Sequence, residues 1–307
     1  MKFLIIGPGA MGLLFASRLK KNANQEVFLM DYKEERAFFL NKKGIIVEGI
    51  RGRYHVNIPV ITKESVNFIP DVILIFVKAY DTKSVAYEIK DIIDNKSIVI
   101  TLQNGVGNIE ILEEILKIQI YGGITAEGAT LLNVGHIKHA GSGDTVIGPS
   151  DNRLIKIKNI FNKAHFNTFI TDNLEGTIWS KLLINIAINP LTAITGLKNG
   201  MLYNIDDMRH IMQESLKEAI TIVQKKNIKL TYDDPIKKVY EVCKRTADNI
   251  SSMLQDILNQ KPTEIDFLNG VIVREGKKLG INTPVNITLT NLIHTIEKTY
   301  KERIIKK

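Results

Sequence analysis

Apolar residues in the first half of the chain fall in short unbroken runs. They occupy residues 2–6, 26–31, 71–78, 97–102 and 119–125, and the first four are rich in Ile, Val, Leu and Phe. Runs of this length without polar alternation predict strands buried on both faces, as in a parallel sheet covered by helices. Residues 145–148 and 166–171 read as further strands of the same layer. Helical spacing appears between the runs, over residues 10–21 and again from Glu34. Strands alternating with helices predict an α/β domain whose crossovers are right-handed.

After Leu174 the period changes. Apolar positions recur three and four apart, predicting helices over 174–194, 205–226, 235–259, 263–279 and 284–300. Asp233-Asp234-Pro235 is a start signal and Gly280 a stop signal. Pro190 lies inside the first of these helices and is expected to kink or break it. The expected organisation is an α/β domain over 1–172 with a mostly parallel sheet, then an all-helical domain over 173–307. The ligand site is expected in a cleft between them.

A length of 307 residues suits about two domains. With 44% apolar and 24% charged residues, the composition excludes a disordered chain, a collagen-like repeat and a disulfide scaffold. The longest aliphatic and aromatic run, residues 72–77, is far short of the ~20 apolar residues of a membrane span. Only four apolar residues precede Gly7, too few for a secretory signal, so a cytoplasmic protein is expected. The formal charge is +8, from 41 Lys and Arg against 33 Asp and Glu. The basic residues are spread out and no basic run is interleaved with aromatics, which predicts a solvated surface and neither a nucleic-acid nor a membrane partner. The C-terminal Lys301-Glu302-Arg303-Ile304-Ile305-Lys306-Lys307 reads as a frayed basic tail. Cys243 has no disulfide partner, and His136 and His139 read as part of a Gly-rich loop without carboxylates, so no metal site is expected.

Gly7-Pro8-Gly9-Ala10-Met11-Gly12 follows the first strand and opens the first helix. In that context G-x-G-x-x-G is a dinucleotide-binding turn of the Rossmann type. Gly7 permits the tight turn, Gly9 the approach of a pyrophosphate, and Gly12 close helix–strand packing. The helix N-terminus attracts the phosphates. Asp31 ends the second strand 19 positions after Gly12. A carboxylate there accepts from ribose hydroxyls and repels a 2′-phosphate, so it favours NADH; Lys33 and Lys78 favour the phosphate instead.

Trp179-Ser180-Lys181-Leu182-Leu183-Ile184-Asn185-Ile186-Ala187-Ile188-Asn189-Pro190 is the most informative stretch. Lys181, Asn185 and Asn189 are four apart and share one helical face, among otherwise apolar residues. Buried polar groups need partners, so this stripe is expected to face a substrate. Asn249 to Met253, with Ser251 and Ser252, and Thr263-Glu264-Ile265-Asp266 offer further polar groups. Gln103-Asn104-Gly105 follows the fourth strand at the ligand-binding edge of an open α/β sheet.

Together, the glycine turn, Gln103-Asn104-Gly105, Lys181-x3-Asn185-x3-Asn189, Asn199, Ser251-Ser252-Met253-Leu254-Gln255-Asp256 and Thr263-Glu264-Ile265-Asp266 resemble the ketopantoate reductase (2-dehydropantoate 2-reductase) family. The resemblance runs over nearly the whole chain. It implies a Rossmann domain followed by a helical domain like that of 6-phosphogluconate dehydrogenase. It also implies NAD(P)H-dependent reduction of ketopantoate to pantoate, on the route to pantothenate and coenzyme A. By resemblance Lys181 is the general acid and Glu264 supports it. Asn104, Asn185, Asn189, Asn199 and Ser252 hold the substrate, and Gly7 to Gly12, Asp31, Lys78, Asn104 and Glu264 hold the cofactor. The family habit is NADPH, from which Asp31 departs, and members are often homodimers. Competing readings are a reductase of another 2-keto acid, a 3-hydroxy acid or an imine, or a dinucleotide-binding sensor without catalysis.

Overall fold

Unbroken apolar runs become adjacent strands because both of their faces can be buried at once. In the computed structural model, which describes residues 1–302, the chain divides into two compact units. One comprises Met1–Gln103 with Gly107–Leu174; the other comprises Asn104–Val106 with the chain from Glu175 onward. The basic tail read at residues 301–307 runs past the described residues.

The first unit begins with β1 (Lys2–Ile6), α1 (Ala10–Lys21), β2 (Glu26–Met30), α2 (Glu34–Lys43), β3 (Ile45–Gly49), β4 (Tyr54–Val56), β5 (Val60–Ile61) and β6 (Val72–Ile75). It continues with α3 (Thr82–Ile89), β7 (Ile98–Thr101), α4 (Asn108–Leu116), β8 (Ile120–Thr125), β9 (Gly128–Asn133), β10 (His136–Gly141), β11 (Thr145–Gly148), α5 (Asn152–Lys163) and β12 (Thr168–Ile170). The main sheet runs β12-β11-β8-β7-β6-β1-β2-β5 and is parallel except where β11 pairs with β8. Successive side chains of a strand point to opposite faces. Phe3, Ile5, Val72 and Leu74 therefore pack with Leu13, Phe15 and Leu19 of α1. Leu4, Ile6, Ile73 and Ile75 pack with Val85 and Ile89 of α3 and Leu112 of α4 on the other face. This two-sided burial is what the unbroken runs anticipate.

A second sheet, β4-β3-β10-β9, packs against α1 and is absent from the sequence-based reading. Its strands are short and mix polar and apolar residues, as in β10, His-Ile-Lys-His-Ala-Gly, where only Ile137 and His139 are buried. The alternation in that segment and Gly135 at φ +74 are the hairpin signals that mark it. His136 and His139 thus lie on a strand, contrary to the expectation of a loop, and each meets a carboxylate: Glu48 at 2.9 Å and Glu127 at 2.6 Å. Long-range pairing supplied the acids that local sequence lacks. Arg18, on α1 and 1% exposed, lies 3.5 Å from Glu127 and 3.3 Å from His139 Nδ1. Burial lowers the Arg18 pKa against the opposing field of Glu127. Burial alone would raise Glu127, but His139 and Arg18 outweigh it and hold the carboxyl low. Among the described residues no group of three His, Cys, Asp or Glu could hold a metal ion.

The second unit is helical: α6 (Leu174–Thr195), α7 (Asn199–Asn204), α8 (Asp206–Lys225), α9 (Pro235–Arg245), α10 (Ser252–Leu258), α11 (Asn269–Leu279) and α12 (Pro284–Lys298). The single helix expected over 235–259 is two helices. Polar residues 245–251 cannot bury a continuous apolar face, and the Ser251 side chain accepts from Leu254 N to start α10 afresh. The helix expected over 263–279 is a short 3-10 turn, Ile265–Phe267, followed by α11.

Of the kink or break expected at Pro190, the break does not occur: α6 runs through it. A proline lacks the N–H that would bond the carbonyl four residues back, and a buried orphan carbonyl costs roughly 1–3 kcal/mol. Asn269 removes that cost: its Nδ2 donates to the Ile186 carbonyl at 3.1 Å. The length and apolar character of α6 would suit a membrane span, but most of its apolar stretch is buried, as in a core helix. Cys243 packs in the same helical core, where burial pushes its thiol up to about 11.

Candidate active site

The glycine turn is built as its spacing requires. Gly7 sits at φ +97, and a Cβ there would stand 2.8 Å from Val77 N. A Cβ on Gly12 would meet the Gly7 carbonyl at 2.1 Å, so α1 can follow β1 this closely only with glycine there. Gly9 differs: nothing lies within 4 Å of the position its Cβ would take. Gly9 is also the N-cap of α1 and brings no side chain to its unpaired N–H groups. An open cradle at a helix start fits an incoming phosphate. Pro8 is buried and Ala10 and Met11 are half-buried beside it.

Asp31 lies just past β2 and is 2% exposed. Its carboxylate is already engaged: Arg36 Nε donates to Oδ2, Arg36 Nη2 to Oδ1 at 2.6 Å, and Lys33 N to Oδ1 at 3.0 Å. The hydrogen bond to Asp31 raises the Arg36 pKa further. Sequence reading weighed Lys33 and Lys78 as the cations here and missed Arg36; a basic residue in the first turn of α2 was the available signal. Lys78 is half-buried just beyond β6. Beside it, Gln103 donates to the Val77 carbonyl and to Thr82 Oγ1, both at 2.9 Å, tying the ends of β6 and β7 to α3. A cavity of about 270 Å³ in this unit lies at the other end of α1, lined by Arg18, Lys21 and Arg51, away from the glycine turn.

In the helical unit, Lys181, Asn185 and Asn189 lie along α6, with Lys181 and Asn185 half-buried and Asn189 7% exposed. Burial drives the Lys181 ammonium down to about 8, while the Glu264 carboxylate pulls it back up. Glu264 is 7% exposed and leads into the turn Ile265–Phe267. Residues Asn104–Val106 join it there. Val106 N donates to the Phe267 carbonyl at 3.4 Å, and a Cβ on Gly105 would meet that oxygen at 2.4 Å. Gly105, at φ +86, lets Asn104 come close to the Glu264 turn.

Ser251 Oγ lies 2.6 Å from Thr192 Oγ1 on α6, which anchors the start of α10 and with it the exposed Ser252. Asn199, 8% exposed, opens α7; its N bonds the Asn249 carbonyl at 3.1 Å and its Nδ2 donates to Thr246 Oγ1 at 2.9 Å, while its buried Oδ1 has no hydrogen-bond partner. Asn104, Lys181, Asn185, Asn189, Asn199, Ser252 and Glu264 all belong to the helical unit, with Lys181, Asn185 and Asn189 on α6, Ser252 on the helix tied to it through Ser251 and Thr192, and Asn199 bonded to residues 246–249. The glycine turn, Asp31 and Lys78 belong to the sheet unit. Asn269 and Thr192, which hold α6 and α10, escaped sequence reading because their partners are remote in the chain.

A glycine-turn α/β unit followed by a helical unit that carries a lysine on a polar stripe fits an oxidoreductase with a nucleotide-binding half. Residues 3–152 match the family described as "Ketopantoate reductase PanE/ApbA", and residues 173–297 match "Ketopantoate reductase PanE/ApbA C terminal". The chain belongs to the ketopantoate reductase family. A 2-dehydropantoate 2-reductase of Archaeoglobus fulgidus is 33% identical over 95% of this chain and 97% of its own. The crystal structure of a PanE/ApbA family ketopantoate reductase from Ralstonia eutropha superposes with TM-score 0.92 at 30% identity, covering 98% and 100% of the two chains. A ternary structure of D-mandelate dehydrogenase with NADH and anilino(oxo)acetate superposes at 0.90 and 27% identity, over 98% and 100%.

Proposed function

We propose that this enzyme reduces ketopantoate to pantoate at the expense of NAD(P)H, with Lys181 as general acid. The observation that carries the reading is the Lys181 ammonium, lowered by burial to about 8 and opposed by Glu264, on a stripe of amides. An acid with that pKa is protonated at neutral pH and still gives up its proton readily. Gly7, Pro8, Gly9, Ala10, Met11 and Gly12 would hold the pyrophosphate, and Asp31 with Arg36 the adenosine ribose. Lys78 is a further cofactor-binding candidate of the sheet unit, and Asn104 and Glu264 are the cofactor-binding candidates of the helical unit. When bound, the nicotinamide supplies hydride to the keto carbon.

As negative charge grows on the carbonyl oxygen, Lys181 Nζ donates a proton to it. Glu264 keeps that amine charged until transfer. Asn104, Asn185, Asn189, Asn199 and Ser252 can hold the substrate carboxylate and hydroxyl without adding a full charge. A second reading, supported by the likeness to D-mandelate dehydrogenase, is a 2-keto acid with an aromatic side chain.

The test is oxidation of NADH and of NADPH by the purified protein with ketopantoate and with aromatic 2-keto acids. Ketopantoate is expected to give the highest kcat/KM. Absence of keto-acid-dependent oxidation with either nucleotide refutes the proposal.

A further inference from the structure

Pro190 interrupts the hydrogen-bond ladder of α6 within the polar stripe itself. The carbonyl it leaves without a helical partner belongs to Ile186, one residue after Asn185 and three before Asn189. Lys181 and Asn185 precede the missing bond, and Asn189 lies within the turn that the bond would have closed. Without a substitute donor, the helix could bend or water could enter here, altering the angle between the two parts of the stripe.

The substitute is a side chain fixed from two further helices. Asn269, fully buried, donates Nδ2 to the Ile186 carbonyl at 3.1 Å and to Asn286 Oδ1 at 2.9 Å. Asn286 is also fully buried, and its Nδ2 donates to the Ser215 carbonyl at 3.0 Å and to Glu218 Oε2 at 2.6 Å. Glu218 further accepts from the N–H groups of Val285 and Asn286 at the start of α12. The carbonyl of α6 is thereby tied to α8 and α12 by oriented amides. This chain of donors ends on the carbonyl that Pro190 orphans, although Asn269 Oδ1 is itself left without a hydrogen-bond partner, so the amide is held by what its Nδ2 donates to.

We propose that Asn269 is a positioning residue for the reaction: its amide replaces the N–H that Pro190 lacks and holds Asn189 in line with Asn185 and Lys181. The inference rests on the reading that this face of α6 binds the keto acid. It explains how a helix can carry proline beside this stripe without leaving the Ile186 carbonyl unpaired.

The test exploits the chemistry of the substitution. Asn269→Ala removes the donor, and Pro190→Ala restores the backbone N–H that makes the donor unnecessary. Wild type, N269A, P190A and N269A/P190A are compared for kcat and keto-acid KM, for NADPH binding, and for amide exchange along α6. N269A is expected to raise the keto-acid KM about tenfold and to speed exchange around residues 186–190, with nucleotide binding unchanged. P190A should resemble wild type, and N269A/P190A should recover most of the lost kcat/KM, with a protected amide at position 190.

An unchanged KM in N269A overturns the inference, as does a double variant no better than N269A. Should N269A fail to fold, Asn269→Ser with and without P190A is compared in the same way. Failure of the functional reading is separate: wild type itself would then show no turnover with keto acids, while the exchange pattern would still report on the Asn269–Ile186 bond.

Discussion

Arg36 grips both carboxylate oxygens of Asp31, the residue that the glycine-turn pattern places at the end of the second strand. The acid that would discriminate against a 2′-phosphate is therefore neutralised by a cation that would attract one. Removing either partner should unbalance cofactor choice in opposite directions. Asp31→Ala is expected to raise the NADPH/NADH ratio of kcat/KM, and Arg36→Ala to lower it, each by about tenfold or more, the scale of a charge-assisted hydrogen bond. Steady-state kinetics with both nucleotides checks this; equal ratios in wild type and variants would remove the pair from cofactor selection.

Lys181 should impose a basic limb on the pH profile of reduction. In the proposed mechanism the protonated form is the active acid, so kcat/KM should fall as pH rises through about 8. Lys181→Ala should lower kcat by about 10²- to 10⁴-fold, the usual contribution of a general acid, while nucleotide binding measured by fluorescence persists.

Glu264 favours the charged form of Lys181. Glu264→Gln removes that field and leaves burial unopposed, so the basic limb should move to lower pH than in wild type. A limb that stays in place would show that the carboxylate does not act on the lysine.

Stability should respond in the opposite sense to activity. The folded lysine has a pKa of about 8, below its value in an unfolded chain. Below that pH both states carry the proton and the folded protein bears the whole cost of a buried ammonium. Between about 8 and the unfolded value near 10.4 the folded state has lost the proton first, so stability rises with pH. Lys181→Met should remove this rise: between about pH 8 and 10 the stability of wild type should gain on that of the variant. Calorimetry of the two proteins across that range measures it.

The glycines separate folding from binding. Gly12→Ala drives a methyl to 2.1 Å from the Gly7 carbonyl and should cost several kcal/mol or prevent folding. Gly9→Ala meets no protein atom within 4 Å, so its thermal midpoint should match wild type. Nucleotide affinity should nonetheless fall, because the methyl enters the phosphate cradle. Thermal melts and nucleotide titrations of the two variants distinguish these effects.

Local chemistry along the chain was enough to establish the parallel strands, the glycine turn, and the four-residue spacing of Lys181, Asn185 and Asn189. Each is a pattern within a few residues, governed by backbone geometry and by which faces can be buried. It could not show the sheet that covers α1, because its short strands gain stability only by pairing across distant segments. Nor could it show that Arg36 occupies Asp31, that Glu127 and His139 meet Arg18, or that Asn269 supplies the hydrogen bond Pro190 forgoes. Those outcomes depend on which donor folding brings to a buried acceptor, and unsatisfied buried groups are costly enough that the tertiary arrangement, not the local propensity, decides them.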